Sequence, residues 1–125
     1  MNVNMLRRNR FSGIIPLGKG AVVHWWMQRL TAVVLLPIAI WFAFAVAMLA
    51  GASYETVVSW LQSPVVTALL FLFIVATFYH IKLGMQVIIE DYVRGWLKSA
   101  SLLTSNLACI LLTVVGIAAL LRVVL

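Results

Sequence analysis

An all-α membrane protein with three transmembrane helices is the fold class this sequence predicts, and three observations lead there. Of its 125 residues, 65% are hydrophobic and only 10% charged, and the mean hydropathy of +1.12 lies outside what a water-soluble domain of this size tolerates. Three uncharged stretches, Leu30–Ala52, Thr56–Tyr79 and Ser99–Leu121, each exceed the ~20 residues a helix needs to cross a hydrocarbon core of about 30 Å. None of them alternates with the two-residue period of a spanning strand, which needs only about 10 residues. The chain therefore reads as a single membrane domain over residues 1–125, with a basic N-terminal arm at 1–23 and helices at about 25–52, 64–92 and 99–122.

The basic arm comes first. "GIIPLGKG" places Gly13, Pro16, Gly18 and Gly20 close together, which predicts an extended, non-helical stretch over residues 1–20. The arm is rich in arginine and free of acids, as transit peptides are, so both a bacterial inner membrane and a mitochondrial inner membrane fit its composition. A cleaved signal peptide does not fit, because the first apolar run is too long and begins too far from the N-terminus. Trp25 and Trp26 mark the headgroup level of the first span, and Pro37 should bend it by removing a backbone donor. Tyr54–Gln62 reads as a short interfacial segment. Ser63-Pro64 reads as a helix start, the serine capping free N–H groups and the proline sitting where its missing N–H is not needed. In the third span Thr104, Ser105 and Asn106 are expected to pair with a neighbouring helix, and Cys109 to be a small packing residue. A lone cysteine excludes an intrachain disulfide.

Charge gives the orientation. Arg7, Arg8, Arg10, Lys19 and Arg29 precede the first span, and Lys82, Arg94 and Lys98 follow the bulk of the second, while the loop between those spans holds Glu55 and no basic residue. The positive-inside rule then places the N-terminus on the cytoplasmic or matrix side and the C-terminus opposite. The net charge of +6 serves orientation and anionic lipid, and a nucleic-acid partner is excluded for want of a soluble basic face. Three helices of this size make a thin bundle, so a ligand cavity calls for a partner chain or a second copy.

Against this apolar background the stretch "FYHIKLGMQVIIEDYV" gathers polar groups at the end of the second span. On a helix Gly84, Val87 and Asp91 stand four, seven and eleven residues from His80, which brings Asp91 within about 20° of the histidine's direction. An intramembrane imidazole requires a partner, and two readings fit His80: an axial ligand to haem iron, with Gly84 leaving room for a flat macrocycle, or a hydrogen bond to a neighbouring helix. Asp91 and Tyr92 likewise allow two. A carboxylate beside a phenol suits a quinone that is protonated as it is reduced, whereas Glu90 and Asp91 could simply pair with Arg94 and Lys98 at the interface. Arg29, at the lip of the first span, suits lipid phosphate or a ligand carboxylate. His24 reads as a wet interfacial histidine that could also serve as a second axial ligand opposite His80.

"HIKLGMQVIIEDYV" resembles the second-helix signature of the smaller hydrophobic membrane anchor of succinate dehydrogenase, respiratory complex II: His80, Gly84, Asp91 and Tyr92 match it position for position. "QRLTAVVLLP", with Arg29 opening the first span, extends the resemblance. The resemblance implies that His80 is one axial ligand of haem b, the other coming from a companion membrane anchor. It implies that Tyr92, supported by Asp91, binds a ubiquinone carbonyl and that Arg29 lies near the haem propionates. Electrons from succinate would arrive through a flavoprotein and an iron–sulfur subunit on the inner face, linking the tricarboxylic acid cycle to electron transport. The chain itself would carry out no succinate chemistry. Lys82 departs from the pattern; it points about 200° away from His80. Three other readings stay open from sequence: the anchor of a fumarate reductase; from another class, a small self-assembling pore or holin-like protein; and a purely structural anchor that keeps the motif without haem.

Overall fold

The computed structural model describes the backbone of residues 3–125 and the side chains of residues 22–125. Four helices follow one another: α1 (Val3–Leu49), α2 (Tyr54–Leu61), α3 (Pro64–Tyr92) and α4 (Trp96–Val124). Within them, three segments are long and apolar enough to cross a membrane, Val22–Leu49, Pro64–Tyr92 and Trp96–Val124. The three-span reading is thus borne out as architecture.

The breaks between helices have local causes. Ala50 and Gly51 turn the chain out of α1, and Gly51 takes φ +80, which a residue without Cβ adopts readily. Ser53 caps α2, its hydroxyl accepting from the Thr56 backbone N–H at 3.3 Å. α3 begins at Pro64, as expected, but Ser63 makes no side-chain cap; Thr67 ties the entry together instead by donating to the carbonyls of Leu61 (2.8 Å) and Ser63 (3.0 Å). Gly95, at φ +73, starts α4 at Trp96, three residues before the apolar stretch that identified the span.

One expectation needs correcting. The stretch over residues 1–20 was expected to be non-helical, whereas α1 runs unbroken from Val3, through Pro16 and Pro37. Local propensity is a weak prior. A helix already nucleated in the span gains one hydrogen bond for each residue it adds, and a proline removes a single donor without undoing the turns on either side. The arm's basic side chains, Arg7, Arg8, Arg10 and Lys19, lie outside the residues whose side chains are described.

α3 is the middle of the bundle, packed against α1 on one flank and α4 on the other, with α2 laid across the end of α3 and α4. Both pairings are antiparallel. Thr31 meets His80 and Phe42 stacks on Phe73 at 5.0 Å between ring centres, so rising numbers on α1 face falling numbers on α3. On the other flank Gly116 faces Ile74; a Cβ there would lie 3.3 Å from the isoleucine Cγ2, so the missing side chain sets how closely α3 and α4 approach. The best-packed region is at the α2 end, where Val66, Leu70 and Leu120 are buried beneath Trp41, Phe42, Trp60, Leu61, Ile74 and Val124. Trp41 and Trp60 stack at 5.9 Å and fasten α2 to α1. The outside is as apolar as the inside: along α1, Val33, Leu36, Ile40, Phe44 and Met48 are all exposed. That arrangement suits lipid as solvent.

Candidate functional site

His80 lies on the α1 flank of α3, half-buried, with Nδ1 2.8 Å from the Thr31 hydroxyl. Nε2 has no hydrogen-bond partner among the described residues and is not sealed in. The reading of this histidine as bonded to a neighbouring helix is met at Nδ1. A neighbouring helix takes Nδ1, and Nε2 is left for something else.

Around this bond runs a polar seam. On α1, His24, Gln28 and Thr31 recur at helical spacing; on α3, Thr77, His80 and Gly84 do the same. A Cβ on Gly84 would come 3.7 Å from Gln28 Nε2, so the space beside this glycine belongs to α1. Three polar atoms, His24 Nε2, Gln28 Oε1 and Thr77 Oγ1, are enclosed without a partner among the described residues. Of His24, expected to be a wet interfacial residue, the side chain is half-buried and Nε2 is enclosed. The register does not set His24 opposite His80. It is seven residues from Thr31, about 10 Å along the axis, so the two imidazoles do not flank one ligand within this chain.

At the Tyr92 end α3 runs out. Asp91 is exposed and Tyr92 is 82% exposed, while Val93 closes the helix with its N–H on the Ile89 carbonyl. Glu90 accepts from Gln86 Nε2 at 3.0 Å, and neither Glu90 nor Asp91 forms an ion pair with Arg94 or Lys98 among the described residues. The interfacial ion-pair reading is thereby set aside for those partners. Arg29 is exposed on α1 with its guanidinium 5.3 Å from the Trp25 ring centre, a cation–π contact.

Two open grooves flank α4. One, of about 220 Å³, is lined by Tyr79, Lys82, Cys109 and Thr113 among others, which puts Lys82 on the α4 side of α3, away from the His80 seam. The other, of about 590 Å³, runs between Ile81, Met85 and Ile89 and the small residues Ala100, Ser101, Thr104 and Ser105. Thr104, expected to bond a neighbouring helix, donates instead to the Ala100 carbonyl of its own helix at 2.8 Å. Cys109 is buried between the two grooves, as a packing residue should be.

No three His, Cys, Asp or Glu side chains converge among the described residues, so a bare metal ion finds no chelate. One imidazole with a nitrogen to spare is, however, what the iron of a porphyrin asks of one helix. The donor set fits haem and not an isolated ion. Thr31 was missed from sequence because a threonine in an apolar span signals nothing until the register of α1 on α3 is known.

Comparison with known proteins matches residues 6–120 to the family described as succinate dehydrogenase/fumarate reductase transmembrane subunit. The chain belongs to this family. It is 40% identical over 80 residues to the succinate dehydrogenase membrane anchor subunit of Reclinomonas americana, covering 62% of this chain and 67% of that one. It is 31% identical over 70 residues to the succinate dehydrogenase hydrophobic membrane anchor subunit of Rickettsia bellii, covering 56% of each. The corresponding Rickettsia conorii protein is 29% identical over 99 residues, with 78% of this chain and 79% of that one covered. The chain thus spans just over half the length of the second of these relatives. No solved structure matches it. The resemblance to succinate dehydrogenase membrane anchors is shown for the family as a whole, which leaves the pore-forming alternative without support.

Proposed function

We propose that this chain is the membrane anchor of a succinate dehydrogenase, holding one side of a haem b and part of a ubiquinone-reducing site in an inner membrane, its N-terminus on the cytoplasmic or matrix side. The observation that carries the reading is the α3 face itself: an imidazole engaged through Nδ1 and available through Nε2, with Asp91 and Tyr92 eleven and twelve residues on. Relatives named as succinate dehydrogenase anchors support the assignment of the reaction. Haem b, when bound, supplies one-electron carriage. His80 would hold it through Nε2, together with a residue of a companion membrane anchor. Arg29 offers a cation to carboxylates at the headgroup level.

At the Tyr92 end the phenol donates to a quinone carbonyl, and Asp91 orients it and passes protons from the water edge. Both residues are exposed in this chain alone, so the walls of the quinone site come from elsewhere. A flavoprotein and an iron–sulfur subunit at the inner face deliver the electrons.

Tyr92→Phe in the purified complex tests the quinone arm. Quinone reduction by succinate is expected to fall by about 10²-fold or more, as when a positioned proton donor is lost, while reduction of a soluble dye acceptor stays at its wild-type rate. Unchanged quinone reduction removes Tyr92 from the site. The family name covers fumarate reductases as well. Faster turnover from succinate to ubiquinone than from a low-potential quinol to fumarate is the expected result, and the reverse order assigns the chain to fumarate reduction.

A further inference from the structure

The Thr31 hydroxyl has three close neighbours: the Met27 carbonyl at 2.8 Å, the Gln28 carbonyl at 3.1 Å and His80 Nδ1 at 2.8 Å. A hydroxyl has one proton to give and two lone pairs with which to accept. Carbonyl oxygens only accept, so the contacts to Met27 and Gln28 are attractive only if the proton is directed at them. The proton between Thr31 and His80 must then come from the imidazole. Threonine hydroxyls commonly turn back onto the carbonyls three and four residues earlier in a helix, so nothing unusual is required of α1. The opposite assignment, with Thr31 donating to Nδ1, sets the threonine oxygen against two carbonyl oxygens with no proton between them.

We propose that Thr31 is a positioning residue for His80, accepting Nδ1–H and thereby fixing the tautomer whose Nε2 lone pair is free to bind iron. The proposal rests on the reading of His80 as a haem ligand, and it adds a residue on the opposite helix that decides which nitrogen is offered and at what angle. The hydrogen bond does two things. It presets the ring before any ligand arrives, and it increases the basicity of Nε2, which favours the ferric over the ferrous state. Because Thr31 stands on α1 and His80 on α3, it also makes ligand geometry depend on the α1–α3 register.

The test is a set of complexes carrying Thr31→Val, Thr31→Ala, Thr31→Ser or His80→Ala, each assayed for haem per complex, haem midpoint potential and the ferric low-spin EPR signal. Co-purifying subunits are quantified separately as the measure of assembly. Thr31→Val, which keeps shape and loses the acceptor, is expected to raise the midpoint potential, shift the EPR signal and weaken haem retention by about 10–100-fold. Thr31→Ser is expected to restore all three. An assembled Thr31→Val complex with wild-type haem content, potential and EPR signal overturns the proposal. If Thr31→Val assembles poorly, Thr31→Ala decides in the same way: unchanged haem properties overturn, a raised potential supports. His80→Ala separates the two levels. If it leaves the haem untouched, the reading of His80 as ligand has failed; if it removes the haem while the Thr31 variants are silent, only the role of Thr31 has.

Discussion

At His80 the two ring nitrogens have different surroundings, and the difference is set from the helix opposite. In hydrocarbon a ring N–H without a partner costs several kcal/mol, so the Thr31 contact at 2.8 Å is as much a requirement of burial as of function. Gly84 gives a sharper test of what lies beside this face. An added methyl would meet Gln28 Nε2 at 3.7 Å, an ordinary contact, so packing of α1 on α3 tolerates it. Helix propensity would even favour alanine by about 0.5–1 kcal/mol. Gly84→Ala is therefore expected to assemble at the wild-type level and to leave the haem absorbance intact, and a diminished absorbance would place the macrocycle against this glycine. His80, Gly84, Asp91 and Tyr92 were legible in the sequence because they share one helix, whose 3.6-residue period relates them. Thr31 and the enclosed atoms of His24, Gln28 and Thr77 were not. They matter through the register between helices, which side-chain packing decides and a single sequence does not display.

Helix boundaries followed the strength of their local signals. Pro64 and the polar end of the second span marked α3 at both ends, and the short segment after Tyr54 emerged as α2 with a serine cap. The first helix was misjudged because four breakers were weighed individually, without the gain from elongating a helix that the span had already nucleated. Gly116 carried no signal as an interface residue, yet it lies in a tight α3–α4 contact, 3.3 Å from Ile74 Cγ2 to a Cβ it does not have. Gly116→Val is expected to wedge the two helices apart and destabilise the bundle by about 1–3 kcal/mol, the usual range for overpacking. A fall in the thermal midpoint of the detergent-solubilised complex would register it, and an unchanged midpoint would mean that α3 and α4 are not held at this distance. The Trp41–Trp60 stack at 5.9 Å offers a parallel case. Trp60→Ala removes the stack and is expected to raise amide hydrogen exchange over residues 54–61 while leaving α3 protected; unchanged exchange would show α2 to be held by Leu61 and Gln62 alone.

For the molecule as a whole, what the bundle lacks is as informative as what it holds. Among the described residues α3 is flanked by α1 and α4, large apolar side chains cover the exterior, and the two residues assigned to quinone stand exposed at one end. Composition and hydropathy were enough to reveal three spans, and the thinness of the bundle was enough to call for a partner. The identity of that partner depends on surfaces, and a sequence shows surfaces only after it is folded. Topology belongs to this scale too. A reporter active only outside the inner compartment, fused after Leu125, is expected to be active, in keeping with the basic residues clustered at the other ends of the spans. Silence from that reporter together with activity of one restricted to the inner compartment would invert the orientation. The central claim, that this chain offers the Nε2 of His80 to a haem shared with a second membrane anchor, is tested most directly by a density map of the assembled complex. The account predicts porphyrin density against Nε2, with Nδ1 on the Thr31 hydroxyl; an imidazole turned toward acyl chains, with no porphyrin beside it, would contradict it.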